Sequence, residues 1–203
     1  MPSTYSSLKI ELIATGEQTG TWGTTTNTNL GTALEEAITG SADVTFSSGP
    51  VTLTLTNSNA TQAARNLRLN LIGTSGGAQN LVVPSIEKLY LIKNGVADTI
   101  TVKTSAGTGI AVPAGKSMFV YNDGVNVVDA TTHLSNLTLN TDLAVADGGT
   151  GASDAGTART NLGLGTMAVQ NGTSVSVSGG SITGLSNLTT TNFTASGTAN
   201  LSG

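Results

Sequence analysis

Phe119-Val120-Tyr121-Asn122-Asp123-Gly124-Val125-Asn126-Val127-Val128 is the stretch that decides the fold. Asp-Gly suits the positive φ angles of a tight hairpin turn. Here it joins Phe119-Val120-Tyr121 to Val125 through Val128, and β-branched and aromatic side chains of this kind fit a pleated surface. Upstream, Leu89-Tyr90-Leu91-Ile92 leads into Asn94-Gly95, a second tight-turn dipeptide. Val51-Thr52-Leu53-Thr54-Leu55 alternates apolar and polar residues, and Leu67, Leu69 and Leu71 share one face. Leu81-Val82-Val83 ends against Pro84, while Thr99 to Val102, Gly109 to Val112 and Met118 to Tyr121 complete the set. About eight short strands at a spacing of roughly 8–12 residues predict a mainly β chain in which residues 41–130 form a β-sandwich or jelly-roll-like domain.

Composition narrows the function classes. The 203 residues include no Cys, only 3% aromatics and 10% charged residues, and the net charge is -4. Thr, Ser, Asn and Gly supply nearly half of the chain. Small side chains make thin cores that bury little apolar area per copy, so oligomerisation is expected on physical grounds. The absence of Cys removes disulfides and thiol metal sites. A mildly acidic balance offers no footprint for nucleic acid. No apolar run is long enough to span a bilayer, so no membrane insertion is expected. Met1 to Ile10 lacks a basic stretch followed by an apolar one, which argues against a secretory signal and for synthesis in the cytoplasm.

Three segments flank the β domain. In residues 1–40, Leu8-Lys9-Ile10-Glu11-Leu12 alternates like a strand, and Thr15 to Gly23 is turn-rich and carries Trp22, the sole Trp. Leu30, Ala33, Leu34, Ala37 and Ile38 then mark one face of a short helix that Gly40 ends. Trp22 is either a core anchor between strand and helix or an interface anchor. Leu30, Leu34 and Ile38 face the chain's own β domain, sister subunits or another protein. Residues 131–165 read as a neck: Gly148-Gly149-Thr150-Gly151 breaks the chain, and Ala152 to Leu162 forms a short helix capped by Ser153 or Asp154. Arg159 caps this helix, pairs with Asp154 or bridges to another subunit. In residues 166–203 the sparse apolar anchors are Leu185, Leu188, Phe193 and Leu201. One copy of such a segment cannot offset its chain entropy, whereas several wound together can. The pattern stops at Leu201-Ser202-Gly203 without a cap, so a longer parent polypeptide is expected.

Chemical motifs are few. Gly115-Lys116-Ser117 resembles the end of a phosphate loop, but Ile110 stands where the first Gly is required, so a β-turn is expected there. His133, the only His, lacks the partners of a metal site or a Ser/His/Asp triad, and Gly73-Thr74-Ser75-Gly76-Gly77 is no nucleophile elbow. Asp142, Asp147 and Asp154 are close in sequence, as a glycosidase pair would need, but aromatic sugar platforms are scarce. The expectation is a non-enzymatic protein without cofactors or metals. Asn59, Asn136 and Asn187 open glycosylation-type triplets that the abundance of Asn and Thr explains.

Gly148-Gly149-Thr150-Gly151 followed by Ala158-Arg159-Thr160-Asn161-Leu162-Gly163-Leu164-Gly165 resembles an element that recurs in bacteriophage tail-fibre proteins. Lys9 to Gly23, with Gly16-Glu17-Gln18-Thr19-Gly20-Thr21-Trp22-Gly23, is similar to the amino-terminal start of fibres from short-tailed and related phages. The resemblance implies a virion protein: a homotrimer whose amino-terminal part docks on tail adaptor or nozzle proteins. Contact with a host receptor would fall to more distal parts. Trp22, Leu30, Leu34 and Ile38 are then the candidate tail interface. Arg159, Leu162, Leu185, Leu188 and Phe193 are the candidate contacts between subunits of an intertwined trimeric β shaft. The rival expectation is an adhesin or capsid decoration module that binds carbohydrate or protein directly.

Overall fold

The computed structural model describes residues 2–170 and, beyond them, 172, 173, 175, 189, 192, 194, 196 and 197. Leu185, Leu188, Phe193 and nearly all of the expected shaft lie outside the described residues. The chain divides into two compact units, Met1–Ser135 and Asn136–Gly203.

The first unit is mainly β. It opens with a small hairpin, β1 (Thr4–Tyr5) and β2 (Glu11–Leu12). The strand expected from Leu8 shrinks to β2 because Lys9 sits at φ 60 and closes a turn onto Ser6. A helical stretch follows: α1 (Trp22–Thr28), a wider π-type segment (Asn29–Leu34) and α2 (Glu35–Thr39). Gly40 ends it, as expected, and leads straight into β3 (Ser41–Ser47).

From there the chain winds between two sheets. β3, β5 (Arg68–Thr74) and β7 (Glu87–Asn94) lie in one sheet, while β4 (Val51–Thr52), β6 (Gln79–Val82) and β8 (Ile100–Lys103) lie in the other. Successive strands within each sheet are parallel: Ser41 pairs with Arg68 and Arg68 with Leu91, while Val51 pairs with Leu81 and Leu81 with Val102. The winding then reverses. β9 (Gly109–Val112) pairs antiparallel with β8, β10 (Ser117–Asp123) antiparallel with β7, and β11 (Val127–Asp129) antiparallel with β10. The expected sandwich of two sheets is therefore present. Its strands are threaded as a parallel coil closed by antiparallel strands, rather than by the hairpins of a jelly roll.

The turn chemistry explains both behaviours. Asp123-Gly124 forms the expected hairpin: Gly124 takes φ 90, and the Asp123 carboxylate accepts from the N–H groups of Val125 (2.8 Å) and Asn126 (2.6 Å). These bonds hold its pKa below the ordinary carboxylate value, Asn126 foremost. Asn94-Gly95 turns the chain from one sheet to the other instead. The Asn94 amide is fully buried and donates to the carbonyls of Asp98 and Val112, both at 2.9 Å, while accepting from the Val96 N–H at 3.1 Å. A Cβ at residue 95 would meet the Leu71 carbonyl at 2.8 Å, so glycine is required by close approach.

Between the sheets lies one core that includes Phe46, Leu69, Leu71, Leu81, Tyr90, Ile92, Val102 and Val120, each at most 1% exposed. Each such aliphatic side chain contributes about 1.5–3 kcal/mol relative to exposure. Tyr90 keeps its hydroxyl satisfied by donating to the Ala64 carbonyl at 3.0 Å. Below it, Lys88 is 8% exposed, with its ammonium 4.9 Å from the Tyr90 ring centre.

Burial lowers the Lys88 pKa from 10.5 to about 8 and raises that of Tyr90 above its ordinary 10.0. Between pH 8 and 10 the unfolded chain holds more protons on Lys88 than the folded one, so stability rises with pH. Above 10 the folded state keeps the Tyr90 proton that the unfolded state loses, so stability falls. Denaturation curves at fixed protein concentration should therefore show a maximum near pH 10. Lys88→Met should lose the rise and be about 1 kcal/mol more stable at pH 7, the cation–π contact offsetting part of the desolvation. An unchanged pH profile in that variant would refute the assignment to Lys88.

Candidate assembly surfaces

Arg65 is the residue that ties the amino-terminal segment to the β domain. It closes a short 3-10 turn (Ala63–Arg65) ahead of β5 and is 0% exposed. Its guanidinium pairs with Glu36 of α2 at 3.0 Å and donates to the carbonyls of Leu8 (3.1 Å), Ala60 (3.1 Å) and Ser58 (2.8 Å). The Gln62 N–H gives the Glu36 carboxylate a further donor at 3.3 Å. One planar cation thus joins the first hairpin, the helix and the loop before β5. Nothing in the local sequence singles out Arg65, since Arg68 stands in the same alternating run.

Around this clamp the helix buries Ala33 and Glu36, not its larger side chains. Trp22 is 62% exposed, Leu30 56%, Leu34 38% and Ile38 59%. The core-anchor reading of Trp22 therefore does not hold, nor does packing of Leu30, Leu34 and Ile38 into the chain's own core. In an α-helix, residues four apart drift by about 40° around the axis. The wider π-type turns between Asn29 and Leu34 reduce that drift, which keeps Leu30, Leu34 and Ile38 near one row. Trp22, eight residues before Leu30 and mostly through α-helical turns, lies off that row by up to about 80°.

A second exposed apolar surface lies on the outer face of the larger sheet. On β7, Leu89 and Leu91 point outward; on β10, Phe119 and Tyr121; on β11, Val128. Register places Phe119 beside Leu91, and Tyr121 between Leu89 and Val128. Glu87 and Asp123 flank one end of this patch, while Lys93 and Arg68 flank the other. Apolar runs beside tight-turn dipeptides had marked these strands, and the register shows which of their residues face outward.

Among its described residues, the second unit has ordered turns and no buried side chain. A short 3-10 turn (Val145–Asp147) precedes Gly148, at φ 88. Gly149 donates to the Ala144 carbonyl at 3.0 Å and Gly151 to that of Leu143 at 2.7 Å, and a Cβ on Gly149 would collide with the Leu143 backbone. Asp154, one of the two expected caps, starts α3 (Ala155–Asn161) by accepting from Gly156 and Thr157. Its pKa is lowered chiefly by Thr157, with the charge of Arg159 a lesser cause. The Asn161 amide then returns to the carbonyls of Thr150 and Gly151, both at 3.0 Å. Gly149, Gly151 and Asn161 thus close one local loop. Yet from Val128 to Gln170 no described residue is buried. Leu137, Leu139, Leu143, Val145, Leu162, Leu164, Met167 and Val169 are each at least 45% exposed. Leu162 is brought to this surface; Arg159 makes no ion pair among the described residues.

Elsewhere the motifs stay bland. Gly115-Lys116-Ser117 is a turn between β9 and β10, with Gly115 at φ 71 and the Lys116 N–H on the Pro113 carbonyl. Asp98 accepts from the Ser75 hydroxyl (2.6 Å) and the Gly77 N–H (2.9 Å), which lower its pKa and brace a loop. His133 is exposed, and the described residues hold no group of three His, Asp or Glu that could bind a metal. No described helix is long and apolar enough to cross a membrane. Searches of family models, curated proteins and solved structures find no match to this chain.

Proposed function

We propose that the chain is a structural subunit of a phage tail fibre and works as a homotrimer. One observation carries this reading. A domain with a finished core is followed by a locally ordered segment in which no described residue is buried and at least eight large apolar side chains are exposed. Exposed apolar area on that scale marks an interface, and winding copies together covers it without any other partner. Its hydrogen-bonded loop uses the residues that give the segment its likeness to tail fibres. Trp22, exposed on the amino-terminal segment, is the anchor that docks on a tail adaptor or nozzle protein. The mechanism is mechanical. The chain's β domain transmits position and load between the tail and more distal, receptor-contacting parts. No catalytic step and no cofactor enter it.

Light scattering on the full chain is expected to give a mass of about three times 20.2 kDa. Gold-labelled antibody to the chain is expected at the tails of phage particles. A folded monomer would end the trimer reading, and label over the head would favour the rival role in capsid decoration.

A further inference from the structure

The first unit carries two apolar surfaces that its own fold does not cover: the helix row of Leu30, Leu34 and Ile38, and the sheet patch of Leu89, Leu91, Phe119, Tyr121 and Val128. They match in size. The row runs about 12 Å at about 1.5 Å per residue. The patch spans three adjacent strands, about 10 Å across, and one step of alternation along them. Their charges are opposite where it matters. The helix from Trp22 to Thr39 bears no Lys or Arg, and its exposed charge is Glu35, beside Leu34. Outward-facing Lys93 and Arg68 stand at the Leu91 end of the patch.

We propose that the helix row of one copy packs on the outer sheet face of the next, with Glu35 against Lys93 and Arg68. This rests on the trimer reading and deepens it. A contact between two different surfaces repeats around a ring and can close at three copies, whereas a sheet face packed on its own twin is self-complementary and stops at two. Helix on sheet is also an ordinary way of covering an apolar sheet face. Trp22, off the row, is left as the anchor for the tail.

Because the chain has no Cys, single cysteines report the contact cleanly. The full chain carrying Leu34→Cys and Leu91→Cys, treated with a short bismaleimide, should give covalent species of two and three chain masses on a denaturing gel. Each single-cysteine chain should stay at one. A double variant that is still trimeric by light scattering but gains no interchain link would overturn the proposal and leave the trimer standing. Self-linking of Leu91→Cys alone would also overturn it, in favour of sheet on sheet. A charge exchange gives an independent reading that leaves the apolar contacts intact. Glu35→Lys and Lys93→Glu should each shift trimer dissociation to at least threefold higher protein concentration, and the double exchange should restore it. Additive losses in the double variant would count against the pairing. A monomeric wild-type chain would remove both this contact and the trimer.

Discussion

Arg65→Ala is expected to lower the unfolding free energy by about 4 kcal/mol, the scale for removing one partner of a buried ion pair. The loss has two parts. Glu36, 9% exposed, loses the cation at 3.0 Å. The carbonyls of Leu8, Ala60 and Ser58 lose their donor at the same time. These carbonyls belong to separate segments, so limited proteolysis should cut the amino-terminal 20 or so residues faster in the variant, as a locally opened segment would allow. Urea denaturation at one protein concentration measures the stability. A double variant, Arg65→Met with Glu36→Met, should recover part of the loss, since no uncompensated charge then remains. A change under about 1 kcal/mol in Arg65→Ala would mean that water enters and solvates the site.

Asn94→Ala is expected to cost about 3 kcal/mol, because three backbone groups lose the side chain that satisfies them. The carbonyls of Asp98 and Val112 lose a donor, and the Val96 N–H loses its acceptor. The bonds tie the turn after β7 to both sides of the sandwich, so the loss should appear as cooperative destabilisation rather than local fraying. Asn94→Asp separates the two roles. It keeps an acceptor for Val96 but has no donor for the carbonyls, and it places a carboxylate where Asn94 is 0% exposed. It should therefore be at least as damaging as the alanine. If the aspartate proved much milder, the carbonyl contacts would not be the stabilising ones.

Much of the fold was legible because its signals are local. Asp123-Gly124 specifies a hairpin through its own φ preference and side-chain acceptor, and the structure shows that hairpin. Gly40 ends the apolar-periodic helix as expected, but at φ -66, where a Cβ would meet Asn66 and the Glu36 backbone, so close approach rather than φ preference requires the glycine. Asp154 caps α3 within three residues of itself. The winding was not legible. Parallel neighbours such as Ser41 and Arg68, or Val51 and Leu81, are joined through unequal lengths of chain, so no period appears in the sequence. Asn94-Gly95 shows the limit clearly: the dipeptide specifies a turn, but whether that turn makes a hairpin or crosses to the other sheet depends on which strands wait there.

The candidate surfaces divide in the same way. Leu30, Leu34 and Ile38 were recognisable from their spacing and Trp22 as the sole Trp, but only the fold shows that they remain exposed. Phe119 and Tyr121 read simply as strand residues, and register with Leu91, Leu89 and Val128 is what gathers them into a patch. Arg65 was missed altogether, because its importance lies in groups up to 57 residues away.

By itself, then, the sequence determined the class of the protein: mainly β, with a short helix before the sheets and another between Ala152 and Leu162. These follow from side-chain size, φ preference and period, which act over a few residues. The tertiary structure alone decided the parallel coil, the Arg65 clamp and the faces left uncovered. Each depends on contacts between segments far apart in the chain, and a side chain's burial is a property of what folds over it.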